Sequence, residues 1–78
     1  MAEYKVIWET LKGVNVSDWM TKPEAEKKFD KLKNEKVLKT VWAELIFSSL
    51  DENATDEELV VDSFTRKVVE IMGKKMIV

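Results

Sequence analysis

The chain has 78 residues, of which 45% are hydrophobic and 36% are charged, and its net charge is −2. This balance excludes a disordered or membrane-embedded chain, and the length predicts one domain spanning residues 1–78. The absence of Cys and His excludes disulfides and the usual zinc sites and argues against an enzyme, so we expect no catalytic residue, metal or cofactor.

The first twenty residues predict a β-hairpin. Residues 4–11, YKVIWETL, are rich in β-branched and aromatic side chains, which favour a strand. Gly13 follows as a turn residue, and residues 14–20 continue with the alternation of apolar and polar side chains that is typical of a second strand.

Residues 21–34, TKPEAEKKFDKLKN, predict an α-helix. Thr21 and Glu24 have the spacing of a capping box, and Pro23 lies in the first turn, where a missing N–H costs nothing. An apolar stripe follows at helical spacing, formed by Ala25, Phe29 and Leu32. The lysines of this segment alternate with acidic residues, which favours a solvated face over a nucleic-acid site.

Residues 37–50, VLKTVWAELIFSSL, predict a long strand that is apolar on both faces. One face carries Val37, Val41, Ala43, Leu45 and Phe47, and the other carries Leu38, Trp42 and Ile46. A strand of this kind is central in a sheet or gives one face to a second molecule. Together with the apolar C-terminal residues KMIV, it predicts a homodimer.

The C-terminal third fits two structures. As a helix, residues 55–73 begin with the capping-box spacing of Thr55 and Glu58 and end at Gly73. As a strand, the β-branched segment ELVVDSF pairs back onto AELIF. We favour the helix, which gives an α+β fold in the order β-β-α-β-α, with one layer of helices on a small antiparallel sheet. The predicted core contains Val6, Trp8, Val16, Phe29, Leu32, Val41, Leu45 and Phe64.

Residues 51–62, DENATDEELVVD, form an acidic segment with six carboxylates and no Lys or Arg. The carboxylates belong to Asp51, Glu52, Asp56, Glu57, Glu58 and Asp62. The segment lacks the Gly and the final Glu of a calcium-binding loop. A helix start accounts for the carboxylates at positions 56–58 only. We therefore predict that the acidic segment binds a partner by resembling the charge of nucleic acid.

Three stretches carry a resemblance to a known group of proteins. YKVIWE (4–9), TKPEAEKKF (21–29) and VWAELIFSSLDE (41–52) resemble small uncharacterised early proteins encoded by phages of Bacillus-type bacteria. The resemblance covers about the first fifty residues and includes no catalytic signature. Several such proteins are host-takeover factors, so it implies a protein that binds and inhibits a host protein.

These observations lead to one expected function and two alternatives. We expect a phage-encoded inhibitor in the host cytoplasm, which binds a basic nucleoid-associated or transcription protein through the acidic segment and contacts neither membrane nor, directly, nucleic acid. The first alternative is a nucleic-acid-binding module that uses the Lys-rich helix and the indoles of Trp8, Trp19 and Trp42. The second is a structural phage component.

Overall fold

The computed structural model describes residues 3–49 and 57–78 and has an α+β architecture. In chain order the elements are β1 (Tyr4–Thr10), β2 (Gly13–Val16), α1 (Lys22–Lys33), β3 (Thr40–Ser49), β4 (Glu57–Thr65), β5 (Val68–Ile71) and β6 (Lys74–Ile77). The first four strands form an antiparallel sheet in the order β2-β1-β3-β4. Strands β5 and β6 form a separate two-stranded sheet.

Helix α1 packs on one face of the four-stranded sheet and closes the core. The predicted apolar stripe of the helix is buried, and it meets inward side chains of β1 and β3. The buried cluster consists of Val6, Ala25, Phe29, Leu32, Ala43 and Leu45. Phe64 of β4 extends this cluster, because its ring lies 5.5 Å from that of Phe29 in an edge-to-face arrangement.

Most of the predicted core is confirmed, with one clear error. Trp8 and Phe64 are partly buried against the cluster, and Val41 is half-buried. Val16 was predicted to be in the core but is 58% exposed. The register explains this difference, because Val16 pairs with Ile7 on the face of the sheet that α1 does not cover.

The N-terminus of α1 follows its sequence signals with one change. Thr21 is the N-cap and Pro23 lies in the first turn, as predicted. The predicted capping box is wrong in detail. The Thr21 hydroxyl donates to the Glu24 carboxylate over 2.8 Å, and the Thr21 side chain makes no capping bond with a backbone N–H. The pair therefore fixes two side chains and leaves the first backbone donors of the helix to other partners.

The helix predicted for residues 55–73 is wrong, because the described part of this segment is extended. Strand β4 pairs antiparallel with β3, as the alternative reading of ELVVDSF on AELIF required. The β-branched residues of the segment gain cross-strand packing in a sheet. This packing outweighs the capping signals at the two ends of the predicted helix. The order is therefore β-β-α-β-β-β-β, with one helix in the described part of the chain.

Gly73 belongs to a hairpin turn rather than to a helix end. Ile71 pairs with Lys74, so Met72 and Gly73 form a two-residue connection between β5 and β6. Both residues have positive φ, 52° for Met72 and 79° for Gly73. This backbone is typical of a type I′ turn, whose twist matches that of the flanking strands. A glycine that permits positive φ serves a helix end and a hairpin equally well.

Two strand boundaries also differ from the prediction. Strand β2 ends at Val16, although Ser17 still donates its backbone N–H to the carbonyl of Val6 and Met20 bridges to Tyr4. Strand β3 begins at Thr40 rather than at residue 37, since the preceding loop binds the carboxylate of Glu35. In the ranges 3–49 and 57–78, no helix has both the length and the apolar character needed to cross a membrane.

Candidate functional site

The sheet face opposite α1 is the most distinctive surface of the described chain, and we call it the open face. Strand alternation places on it the residues that point away from the buried cluster. Its apolar side chains are Ile7, Val14, Val16, Trp42, Ile46 and Val60. Val14, Val16 and Val60 are exposed, which is unusual for β-branched residues on a central sheet of so small a domain.

Charged side chains lie among these apolar ones. Register places Lys5, Glu9, Glu44 and Glu58 on the open face, three carboxylates against one ammonium group. Glu44 lies on β3 between Ile7 of β1 and Ser63 of β4, near the middle of the sheet. The open face therefore combines apolar area with an excess of negative charge, which favours a partner with apolar and basic groups.

One end of the open face is covered by the chain itself. The Lys5 ammonium binds the Glu58 carboxylate over 2.6 Å, so its side chain crosses β3 from β1 to β4. The same ammonium lies 4.6 Å from the centre of the Trp19 ring, a cation–π contact. Ile46 and Ser48 lie on β3 where Lys5 crosses it, and both are buried.

The other end of the open face is fixed by a hydrogen bond between two strands. The Trp42 indole N–H donates to the Glu9 carboxylate, directly across the β1–β3 pair. This bond orients the indole and leaves its ring half-buried on the surface. An aromatic side chain held in one orientation is typical of the side chains that dominate protein interfaces.

The structure divides the predicted acidic site. Asp51, Glu52, Asp56 and the side chain of Glu57 lie outside the described residues. Glu58 is paired with Lys5 on the open face, whereas Asp62 accepts a hydrogen bond from the backbone N–H of Ser63. The bulge at Val61 in the β3–β4 register turns Asp62 toward the helix-covered face. The described members of the acidic segment therefore do not share a face.

The side chains of the nucleic-acid alternative are also on different surfaces. Trp8 lies on the helix side of the sheet, where Lys28 sits 4.6 Å from the centre of its ring. Trp19 and Trp42 belong to the open face, which carries excess negative charge. Carboxylates beside exposed indoles repel phosphate, so the aromatic residues and the lysines of α1 do not form one basic, base-stacking surface.

A partly buried ion pair connects the end of α1 to the sheet. The Arg66 guanidinium donates to the backbone carbonyls of Leu32, Lys33 and Thr40, over 2.8–2.9 Å, and to Glu35 over 3.2 Å. Its cationic head satisfies the last carbonyls of the helix and complements the negative end of the helix dipole. Sequence reasoning missed this pair, although Arg66 is the single Arg of the chain.

Hydrogen bonds control the ionisation of Glu35. Burial raises the pKa of this carboxyl, but the Thr40 hydroxyl, the amides of Lys39 and Thr40, and the Arg66 charge together hold it below its ordinary value. All of these groups stabilise the carboxylate form. Glu35 is therefore a carboxylate at neutral pH and keeps its ion pair with Arg66, and this pair lies away from the open face.

One feature of the sequence pointed to the open face. Apolar residues on both sides of residues 37–50 indicated a strand that is central in a sheet or gives one face to a second molecule, and β3 does lie between β1 and β4. The contributions of Glu9 and Glu44 were missed because charged strand residues ordinarily indicate solvent. Comparison of the chain with protein-family models, with curated proteins and with solved structures finds no match.

Proposed function

We propose that this protein is a non-catalytic binding module whose open face takes up a basic protein surface with exposed apolar side chains. One observation carries the proposal: an apolar strip on a four-stranded sheet lies beside three carboxylates and one ammonium group. Apolar side chains supply the area that association buries, and the carboxylates steer basic partners and reject acidic ones.

The proposed partner is still a basic host protein, but its binding surface is the open face instead of the acidic segment. A basic host protein fits the charge of Glu9 and Glu44 as well as it fits the acidic segment of residues 51–62. The resemblance of the first fifty residues to phage early proteins supports a host protein as the target. An inhibitor of a basic DNA-binding protein is therefore the function that we infer, with the open face as its contact surface.

A comparative capture experiment tests the proposed surface. The immobilised protein is exposed to bacterial lysate as wild type, as Glu44→Lys and as Asp62→Lys, and retained proteins are quantified by mass spectrometry. Both variants change the net charge equally, but only Glu44 belongs to the open face. We expect basic proteins that the wild type and Asp62→Lys retain and that Glu44→Lys loses. Equal retention by Glu44→Lys contradicts the proposal.

The same captured proteins test the nucleic-acid mimic. Replacement of Asp51, Glu52 and Asp56 by Asn, Gln and Asn removes half of the carboxylates of the acidic segment and leaves Glu58 of the open face unchanged. If residues 51–62 replace DNA on the partner, this variant no longer competes with duplex DNA for it. If competition persists and is lost in Glu44→Lys, the open face is the inhibitory surface.

A further inference from the structure

The C-terminal hairpin, residues 68–77, has an outer side on which the described residues leave apolar side chains exposed. Register places Val69, Ile71, Lys74 and Met76 on one side of this hairpin. Ile71 and Met76 are more than half exposed. A two-stranded hairpin is marginally stable by itself in water, so a second surface that covers this side stabilises it.

The turn of the hairpin adds another exposed apolar group. Met72 is 97% exposed and has a left-handed backbone, a conformation that costs a residue other than glycine about 1 kcal/mol. The Met72 side chain contributes nothing to the core of its own chain. Exposed methionine is common at protein contact surfaces, because its flexible thioether adapts to the surface it meets.

The charges of the hairpin complement those of the open face. Lys74 is the charged residue on the outer side, whereas Glu70 and Lys75 lie opposite each other on the inner side. The open face carries Glu9 and Glu44 beside its apolar strip. A Lys74 ammonium placed at Glu44 pairs opposite charges while Ile71 and Met76 meet exposed valines.

The dimensions of the C-terminal hairpin match those of the open face. Two strands of four residues form a hairpin about 13 Å long and about 10 Å wide, and four strands at about 4.8 Å spacing make a sheet about 19 Å wide. The hairpin therefore fits within the open face. The molecule is 53 Å long and 17 Å thick, which allows two copies to lie antiparallel with their open faces toward each other.

From these observations we infer that the open face binds the C-terminal hairpin of a second copy, so that two chains exchange hairpins in a two-fold symmetric dimer. This inference rests on the proposed function, because the same face serves the heterologous partner. Two small contacts give weak association, so self-association falls away on dilution. The dimer is then a resting state in which each hairpin covers the face that the partner protein requires.

Charge exchange between variants tests the dimer directly. Lys74→Glu places a negative hairpin against a negative face, and Glu44→Lys places a positive face against a positive hairpin. In sedimentation velocity over a concentration series, each variant alone is expected to associate at least tenfold more weakly than the wild type. An equimolar mixture restores dimerisation, since both contacts of the mixed dimer then join opposite charges.

Matched variants keep the result interpretable. Lys27→Glu on the exposed side of α1 makes the same charge change as Lys74→Glu and leaves dimerisation unchanged. Met76→Asp alters only the hairpin and weakens the dimer even if Glu44→Lys does not fold by circular dichroism. A wild type that remains monomeric at millimolar concentration, Met76→Asp that dimerises as the wild type does, or a mixture of folded variants without recovery overturns the inference.

The proposed function fails on a different observation. Capture of basic proteins is measured at a concentration at which the chain is monomeric, so loss of the dimer leaves that result intact. A chain that dimerises but captures no basic protein refutes the heterologous function alone.

Discussion

Arg66 follows β4 and binds residues 32–40, which lie 26–34 positions before it in the sequence. Its guanidinium contacts the end of α1, the carboxylate of Glu35 and the first residue of β3, and it stacks 4.7 Å from the ring centre of Phe64. Both charged side chains are largely buried. Removal of one partner leaves the other as an unpaired charge in the folded chain, and this lowers the free energy of unfolding.

Arg66→Met tests this role. We expect the variant to lose about 3 kcal/mol of unfolding free energy, the low end of the range for breaking a buried ion pair. Lys67→Met is the matched control, because Lys67 is an exposed neighbour, and it should change stability by less than about 0.5 kcal/mol. Urea denaturation measures both, and an equal effect of the two substitutions contradicts the structural role of the pair.

Glu35→Gln tests the ionisation of the same site. The pKa of Glu35 is lowered in the folded chain, so the unfolded chain binds a proton more readily and acid favours unfolding. The stabilisation is complete above about pH 4.5 and is lost as the pH falls through the folded pKa. Glu35→Gln should therefore be less stable than the wild type at pH 7, and this gap should narrow in acid. A gap that is constant from neutral pH to pH 3 contradicts the assignment.

Among the elements, α1 was predictable and the C-terminal strands were not. Residues 21–34 combined an N-cap, an early Pro and an apolar stripe, and all three agreed on a helix. Residues 55–73 combined the start and end signals of a helix with many β-branched residues, which favour a strand, so the local signals conflicted. Pairing with β3 decided the outcome, and pairing between residues as far apart as Trp42 and Thr65 is not a local property.

The bulge in β4 separates the two carboxylates of the acidic segment whose side chains are described. Regular alternation places Glu58 and Asp62 on one face, since they are four residues apart. Val61 is an extra residue opposite the Leu45–Ile46 step of β3, and it reverses the alternation. No pattern of residue types indicates this bulge, so the sequence could not predict that Glu58 and Asp62 lie on opposite faces of the sheet.

The turn of the C-terminal hairpin makes a prediction at the same scale. Asn tolerates the left-handed backbone of a type I′ turn far better than Met does, so Met72→Asn should stabilise the hairpin by about 0.5–1 kcal/mol. Slower hydrogen exchange of backbone amides in residues 68–77 of the monomer would show this. Lys75→Asn, within β6, should instead speed exchange, because Asn is unfavourable in strands. Faster exchange in Met72→Asn contradicts the turn assignment.

At the scale of the whole molecule, one helix covers one face of a sheet and leaves the other to solvent or to a partner. The chain is elongated, at 53 × 23 × 17 Å, and its C-terminal hairpin forms a sheet separate from the core. Ordinary domains of this size need their apolar residues inside, because a thin core supplies little stability. The exposed valines of the open face and the exposed Ile71 and Met76 of the hairpin are the basis of our proposal that the chain completes its packing with other molecules.

Site-specific photo-crosslinking tests most directly whether the open face is the binding surface. A photoreactive amino acid replaces Val16, which is exposed on the open face, or Lys27, which is exposed on α1, and the two proteins are irradiated in bacterial lysate. The account predicts protein adducts from position 16, whether with a basic partner or with a second copy, and their loss when Glu44→Lys is added. Adducts from position 27 with none from position 16 would contradict it.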